Sequence, residues 1–307
     1  MQRRFLDYFI ITCKGLAMGA ADVVPGVSGG TIAFISGIYE ELITSLNNIN
    51  LSLLATLKKE GFSKAWTQLN GNFLLALFIG IGISVLSLAK ALEWLLENQP
   101  ILLWSFFFGL VLASILFVGK QIKKWGIATI ISLIIGAFVA YYITTIPTLD
   151  TNNSGWFLFL AGALAICAMI LPGISGAFIL VLLGAYGPVL EALNNRDFKT
   201  ILIVGAGAIV GLLTFSKLLK WLFTKYHNLT LAILTGFILG SLNKIWPWKE
   251  VISTRLNSKG IEVPFQEDSI SPFTYNGDNL LVLAIILMII GFLTIVLLEK
   301  FGPKTND

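Results

Sequence analysis

The chain runs from end to end as long apolar stretches divided by short polar connections. Six stretches, 73–96, 101–118, 126–146, 199–223, 229–246 and 279–299, predict membrane-spanning helices. Each has about 17–25 residues, and at ~1.5 Å per residue that length crosses ~30 Å of hydrocarbon. Four shorter pieces form two interrupted pairs, 9–24 with 27–43 and 157–171 with 174–190. The interruptions read VVPGVSGGTIAF at 23–34 and ILPGISGAFIL at 170–180. Proline and glycine crowd there, where a spanning helix would run on. A half such as 31–43 is ~20 Å long and passes the midplane without crossing comfortably. Each pair is expected to be a re-entrant hairpin, entering and leaving on one face; two thin full spans per pair is the alternative. The stretches are continuous rather than alternating, which argues against a transmembrane β-barrel.

Basic residues then set an orientation. Arg3, Arg4, Lys58, Lys59, Lys64, Lys120, Lys123, Lys124, Lys220, Lys225, Lys300 and Lys304 all fall on one face of this segmentation. The opposite connections 97–100 and 147–156 carry no Lys or Arg. Arg196, Lys199 and the long mixed-charge loop near 247–278 are the exceptions. Both termini are expected on the cytoplasmic side.

The interrupted pairs repeat. At an offset of 147, Pro25, Gly26, Ser28, Gly29, Gly37 and Tyr39 match Pro172, Gly173, Ser175, Gly176, Gly184 and Tyr186. Beyond the hairpins the offset falls to 127, because the first half carries a longer loop at 44–72. There Gly80, Lys90, Trp94, Gly109 and Ser114 match Gly207, Lys217, Trp221, Gly236 and Ser241, and the last spans align through Gly136 and Gly291. Each half, 1–146 and 147–307, is one hairpin (9–43 or 157–190) plus three spans. Three is odd, so the second half is expected to be inverted. The fold class is therefore an all-α polytopic membrane protein of two inverted repeats, the pattern of secondary transporters. Duplication without transport is the alternative.

A broken helix exposes backbone N–H groups, and these with the positive helix end favour an anion. Gly26, Gly29, Gly30, Gly173 and Gly176 let backbone approach a ligand, while Ser28, Thr31 and Ser175 add hydroxyls. Pro25 and Pro172 end the incoming halves. Unwound backbone at this depth needs protein or a wet cavity to satisfy it. The plainer reading is that the motif only kinks a helix or permits close packing. Lys90 and Lys217 are candidate counter-charges for a phosphate, or interfacial lysines snorkelling beside Trp94 and Trp221. Asp22 lies at the first break and is the candidate for ion coupling, with proton or sodium as the ion. Met169 stands at its matched position. Glu40, Glu41 and Glu191 flank the hairpin exits as interfacial residues.

Composition narrows the classes. The chain of 307 residues is 56% hydrophobic and 12% charged, with net charge +4, which fits loop lysines rather than a nucleic-acid surface. Arg3 and Arg4 lead into a first segment without a signal-peptidase pattern. Cys13 and Cys167 lie in apolar segments and read as core residues. His227 is the single histidine and reads as a loop residue. There is no cluster for a metal, no paired intramembrane carboxylates and no Walker-type loop. No cofactor is expected, and a membrane lipid-phosphate enzyme lacks parts. A small-anion transporter or channel remains open beside a lipid carrier.

GAADVVPGVSGGTIAFISGIYEELI and MILPGISGAFILVLLGAYGPVLEAL resemble the PopT-like undecaprenyl phosphate translocase family, bacterial and archaeal membrane proteins formerly classed as a domain of unknown function. The likeness runs over essentially the whole chain and is most specific in the first hairpin. Ala177 and Phe178 replace Gly30 and Thr31 in the second, thinning its polar lining. The resemblance implies a flippase, not an enzyme, that moves undecaprenyl phosphate across the bacterial cytoplasmic (inner) membrane to recycle the cell-envelope carrier lipid used for peptidoglycan. It implies polyprenyl phosphate and membrane lipids as partners, with the phosphate held at the two breaks.

Overall fold

The computed structural model describes residues 3–23, 27–146, 149, 152–256 and 262–301. Helix α1, Phe5–Val23, leads into the first break, and α2, Gly29–Ile35, and α3, Tyr39–Asn47, lead out of it. Two surface helices follow, α4 at Leu51–Glu60 and α5 at Phe62–Leu69, then α6, Gly71–Asn98, α7, Pro100–Lys120, and α8, Ile127–Thr145. The second half repeats the order with α9, Gly155–Ile170, the short α10, Gly176–Leu182, and α11, Tyr186–Asn194. The long α12, Phe198–Ser241, precedes a 3-10 turn at Leu242–Ile245, strands β1, Lys249–Leu256, and β2, Glu262–Ser269, and finally α13, Leu281–Phe301.

Among the described residues, four helical segments are long and apolar enough to span: Gly71–Leu88, Pro100–Lys120, Ile127–Thr145 and Phe198–Ile245. The pair Gly176–Leu182 and Tyr186–Leu193, bent by 112°, makes a fifth if taken as one span. Of the six stretches expected, 199–223 and 229–246 are two helices of α12 that meet at a kink with non-helical backbone at Tyr226 (φ −132°, ψ 46°), so the segment Phe198–Ile245 holds both. The stretch 279–299 gives a shorter apolar helix at Leu281–Leu297.

Glycines set the packing, because each lets a neighbouring backbone approach to where a Cβ would sit. Gly15 and Gly19 on α1 lie against Leu77 and Ile81 on α6, and Gly80 lies against Thr12. The numbers rise together, so α1 and α6 run parallel. The same contacts recur at matched positions: Gly162 lies against Val204, and Gly207 against Phe159, joining α9 to the first arm of α12. The remaining helices pair across the halves. Gly109 on α7 meets Met288 on α13, and Gly291 meets Phe106; correspondingly Gly236 on α12 meets Leu133 on α8, and Gly136 meets Ile233. The main core fills the space between these pairs, with Phe34, Tyr39, Phe73, Leu77, Phe107 and Leu234 among its buried members.

Three local structures correct the sequence reading. The outgoing limbs 27–43 and 174–190 are each two helices, not one. Gly37 (φ +72°) and Gly184 (φ +66°) stop α2 and α10, and Ile38 N–H and Ala185 N–H reach back to Ala33 O (3.0 Å) and Leu180 O (2.8 Å). That bond closes a Schellman cap, whose left-handed residue favours glycine. The loop at 44–72 is mostly helical, with α4 capped by Asn50, whose Oδ1 accepts from Ser52 N–H. The loop near 247–278 holds an antiparallel hairpin, Lys249 opposite Ser269 through Leu256 opposite Glu262, so the fold is mostly rather than wholly α.

Candidate functional site

The two breaks meet. Ser28 has extended backbone (φ −125°, ψ 131°) at the start of α2, and its Oγ accepts from Gly30 N–H at 3.1 Å. The same hydroxyl donates to Leu171 O at 3.1 Å, with Met169 O at 3.5 Å. Those carbonyls belong to the end of α9, where a helix leaves acceptors without intrahelical donors. In return, Gly173 N–H donates to Thr31 Oγ1 at 2.9 Å. Each break thus supplies what the other lacks. Gly30 permits the approach: a Cβ there would lie 2.6 Å from Ile170 O. Ser28 and Thr31 are both 1% exposed, so these bonds are shielded from competing water.

Asp22, near the end of α1, holds the neighbouring donor. Its Oδ1 accepts from Gly29 N–H at 2.7 Å. Gly176 sits against Ala165 O, tightening the second hairpin. Ser175 occupies the start of α10 with extended backbone (φ −89°, ψ 134°); the residue is buried, and its hydroxyl makes no hydrogen bond among the described residues. Pro172 lies in the second break beside Gly173. Pro25 and Gly26 lie outside the described residues, as does the side chain of Lys90. Lys217 is exposed on α12 and is not among the tip contacts. Among the described residues no group of His, Cys, Asp or Glu could hold a metal.

Several functional groups escaped the sequence reading. Lys14, half-buried on α1, donates to Ser36 O at 2.6 Å, at the far end of α2. Arg3 forks onto Glu41 at 2.6 Å to each oxygen, and Asn70 Nδ2 donates to the same carboxylate at 2.7 Å. This network ties the chain start to the hairpin exit and to α6. His227 Nε2 lies 3.1 Å from Glu40 Oε1, joining the turn of α12 to α3. None of these pairs carries a local motif, since their members lie at least 22 residues apart.

Chemically, the described residues of the junction offer backbone amides, hydroxyls and one carboxylate in a buried setting, and among them no hydroxyl is hydrogen-bonded to a carboxylate or imidazole. The chain matches the family described as undecaprenyl phosphate translocase-like over residues 18–263. It belongs to that family. The polyprenyl-phosphate transporter of Vibrio cholerae serotype O1 is 46% identical over 308 residues, covering 99% of this chain and 100% of that protein. The polyprenyl-phosphate transporter of Staphylococcus aureus is 32% identical over 253 residues, covering 76% of this chain and 84% of that one. Both relatives in this translocase-like family are named as transporters, and neither name describes an enzyme. No solved structure matches the chain.

Proposed function

We propose that the protein carries undecaprenyl phosphate between the leaflets of the bacterial cytoplasmic membrane, with the phosphate engaged where the two helix breaks meet. The observation that carries this reading is the exchange of bonds between residues 143 and 142 apart in the two breaks, Ser28 Oγ to Leu171 O and Gly173 N–H to Thr31 Oγ1. Such bonds hold the junction closed without substrate. A phosphate entering it accepts from Gly173 N–H and from the Ser28, Thr31 and Ser175 hydroxyls, and replaces those bonds with charge-assisted ones. The isoprenoid tail stays in lipid. Pro25, Gly26, Lys90 and Lys217 belong to the same reading as helix break, backbone contact and counter-charges.

The two halves act as inverted repeats that rock about this junction. The matched contacts Gly15 to Leu77 and Gly162 to Val204 support the duplication, and the odd number of spans per half supports the inversion. With both termini cytoplasmic, one hairpin enters from each side. Asp22 competes with the substrate: its carboxylate occupies Gly29 N–H, and an ionised carboxylate repels a phosphate nearby. Protonation, or a bound cation such as sodium, relieves both and couples ion to lipid.

The test is transport in proteoliposomes. A fluorescent polyprenyl phosphate is placed in one leaflet and its arrival in the other is followed by quenching. Wild-type protein is expected to speed exchange, and Ser28→Ala with Ser175→Ala to slow it by about tenfold or more, the worth of one hydrogen bond to a charged group. Equal acceleration of the uncharged alcohol would overturn the phosphate site.

A further inference from the structure

Away from the junction, beside the β-hairpin, two hollows share a wall. The upper one, about 520 Å³, is lined by Asn243, Trp246, Ser269 and Ser271. The lower one, about 180 Å³, runs between α7 and α13 and is lined by Leu112, Ile289 and Leu293. Phe108 borders both, packed edge-on against Trp246 at 5.4 Å. The upper hollow sets Asn243, Ser269 and Ser271 among Leu242, Trp246, Ile270 and Pro272; the lower is apolar and faces the exposed side of the helices. The two adjoin at Phe108, with polar side chains present only in the upper one, at the end of the molecule opposite the chain start.

Two lysines stand beside the upper hollow without lining it, Lys244 next to Asn243 and Lys249 opposite Ser269 in the hairpin. Lys249, its side chain 8% exposed, donates to Lys244 O at 2.8 Å, lies 4.5 Å over the Trp104 ring and reaches Glu267 at 3.4 Å. Lys244 Nζ lies 5.0 Å over the Phe178 ring and makes no hydrogen bond among the described residues. Two ammonium groups thus face one carboxylate. Desolvated cations without full pairing favour an anion nearby. Phe178 is two residues beyond Gly176, and a Cβ on Gly173 would lie 2.9 Å from Ser241 Oγ, so this turn adjoins the second break.

We infer that the two hollows act as one groove, the loading site for the polyprenyl phosphate from the face of the membrane opposite the termini. The phosphate lies at the Asn243 and Ser271 end under the field of Lys244 and Lys249. The first isoprene units lie along Leu112 and Ile289, where the groove opens sideways to lipid. From there the head passes Lys244 and Phe178 to the junction. This rests on the proposed substrate, and it adds an entry site that the junction alone does not contain.

The experiment uses full-length protein in nanodiscs with two diazirine-bearing polyprenyl phosphates, one reactive near the phosphate and one on the first isoprene units. Cross-links are mapped by peptide mass spectrometry. The head probe is expected on the 243–246 and 269–271 segments and the tail probe on Leu112, Ile289 or Leu293. Leu112→Trp or Ile289→Trp fills the apolar end and lowers tail labelling about fivefold, a change of about 1 kcal/mol. Ile131→Trp, on the exposed face of α8, leaves it unchanged. Probe retained by the protein but cross-linked elsewhere overturns the groove and leaves the transporter reading standing. Probe retained no better than polyprenol overturns the transporter reading itself.

Discussion

Asp22 and Lys14, eight residues apart on α1, hold opposite ends of α2. Asp22 accepts from Gly29 N–H at 2.7 Å at the start of that helix, and Lys14 donates to Ser36 O at 2.6 Å at its end. A seven-residue helix is too short to stand alone. Carboxylate at the N-terminus and ammonium at the C-terminus match the helix dipole. The first break is therefore a clamped element, and the clamp contains the one acid placed to compete with an anion.

Asp22→Asn keeps an oxygen that can accept from Gly29 N–H and removes the charge. Folding is expected to be retained, while the dependence of transport on the ion gradient is lost. Asp22→Ala also leaves the amide without its acceptor, which costs about 1–3 kcal/mol. Thermal unfolding in detergent and gradient-driven transport separate the two effects. An ion dependence unchanged in Asp22→Asn would remove Asp22 from coupling.

Gly30 is where the two breaks come closest. Gly30→Val places carbon against Ile170 O, where even a Cβ would sit at 2.6 Å. Forcing the breaks apart costs about 1–3 kcal/mol and abolishes transport more fully than it lowers stability. The comparison is unfolding midpoint against transport rate in the same preparation.

Gly80 and Gly207 occupy equivalent places against Thr12 and Phe159. Gly80→Val and Gly207→Val are each expected to destabilise by about 1–3 kcal/mol, by separating α6 from α1 and α12 from α9. Effects of similar size in differential scanning would bear out the equivalence of the halves. Tolerance of one substitution alone would break it.

Burial pushes the Lys249 ammonium down to about 8; Glu267 holds it up and Lys244 lowers it further. Its charge is present at pH 7 and is lost as pH rises through 8. A phosphate monoester, with its second pKa near ~6, stays doubly charged over that range. Retention of undecaprenyl phosphate is therefore expected to weaken between pH 7 and 9, and Lys249→Arg to flatten the decline. Because the native value lies below the ordinary 10.5, folding itself binds fewer protons and gains stability with pH in that window. Loss of lipid there would thus not reflect unfolding through Lys249.

Spanning stretches, the two interruptions and the matched glycines are legible in the sequence because lipid demands continuous apolar runs and close helix contact demands small residues. Gly37 and Gly184 stand in the repeat, yet their function as helix stops depends on a positive φ that no pattern displays. KEVISTRL reads as mixed charge rather than as a strand, because its lysine turns inward onto Trp104 only once α7 is in place. The contact of Ser28 with Leu171 follows from helix arrangement. Expecting each break to offer free donors left out the acceptors already there: Asp22 and Ser28 take up Gly29 and Gly30 N–H, and Thr31 takes up Gly173 N–H from the other break.

The most direct measurement is native mass spectrometry of the purified protein with undecaprenyl phosphate, undecaprenol, phosphatidic acid and inorganic phosphate, for wild type and for Ser28→Ala and Ser175→Ala. The account predicts selective retention of undecaprenyl phosphate, weakened about tenfold by either substitution. Equal retention of undecaprenol, or a preference untouched by both substitutions, would contradict a phosphate held where the two breaks meet.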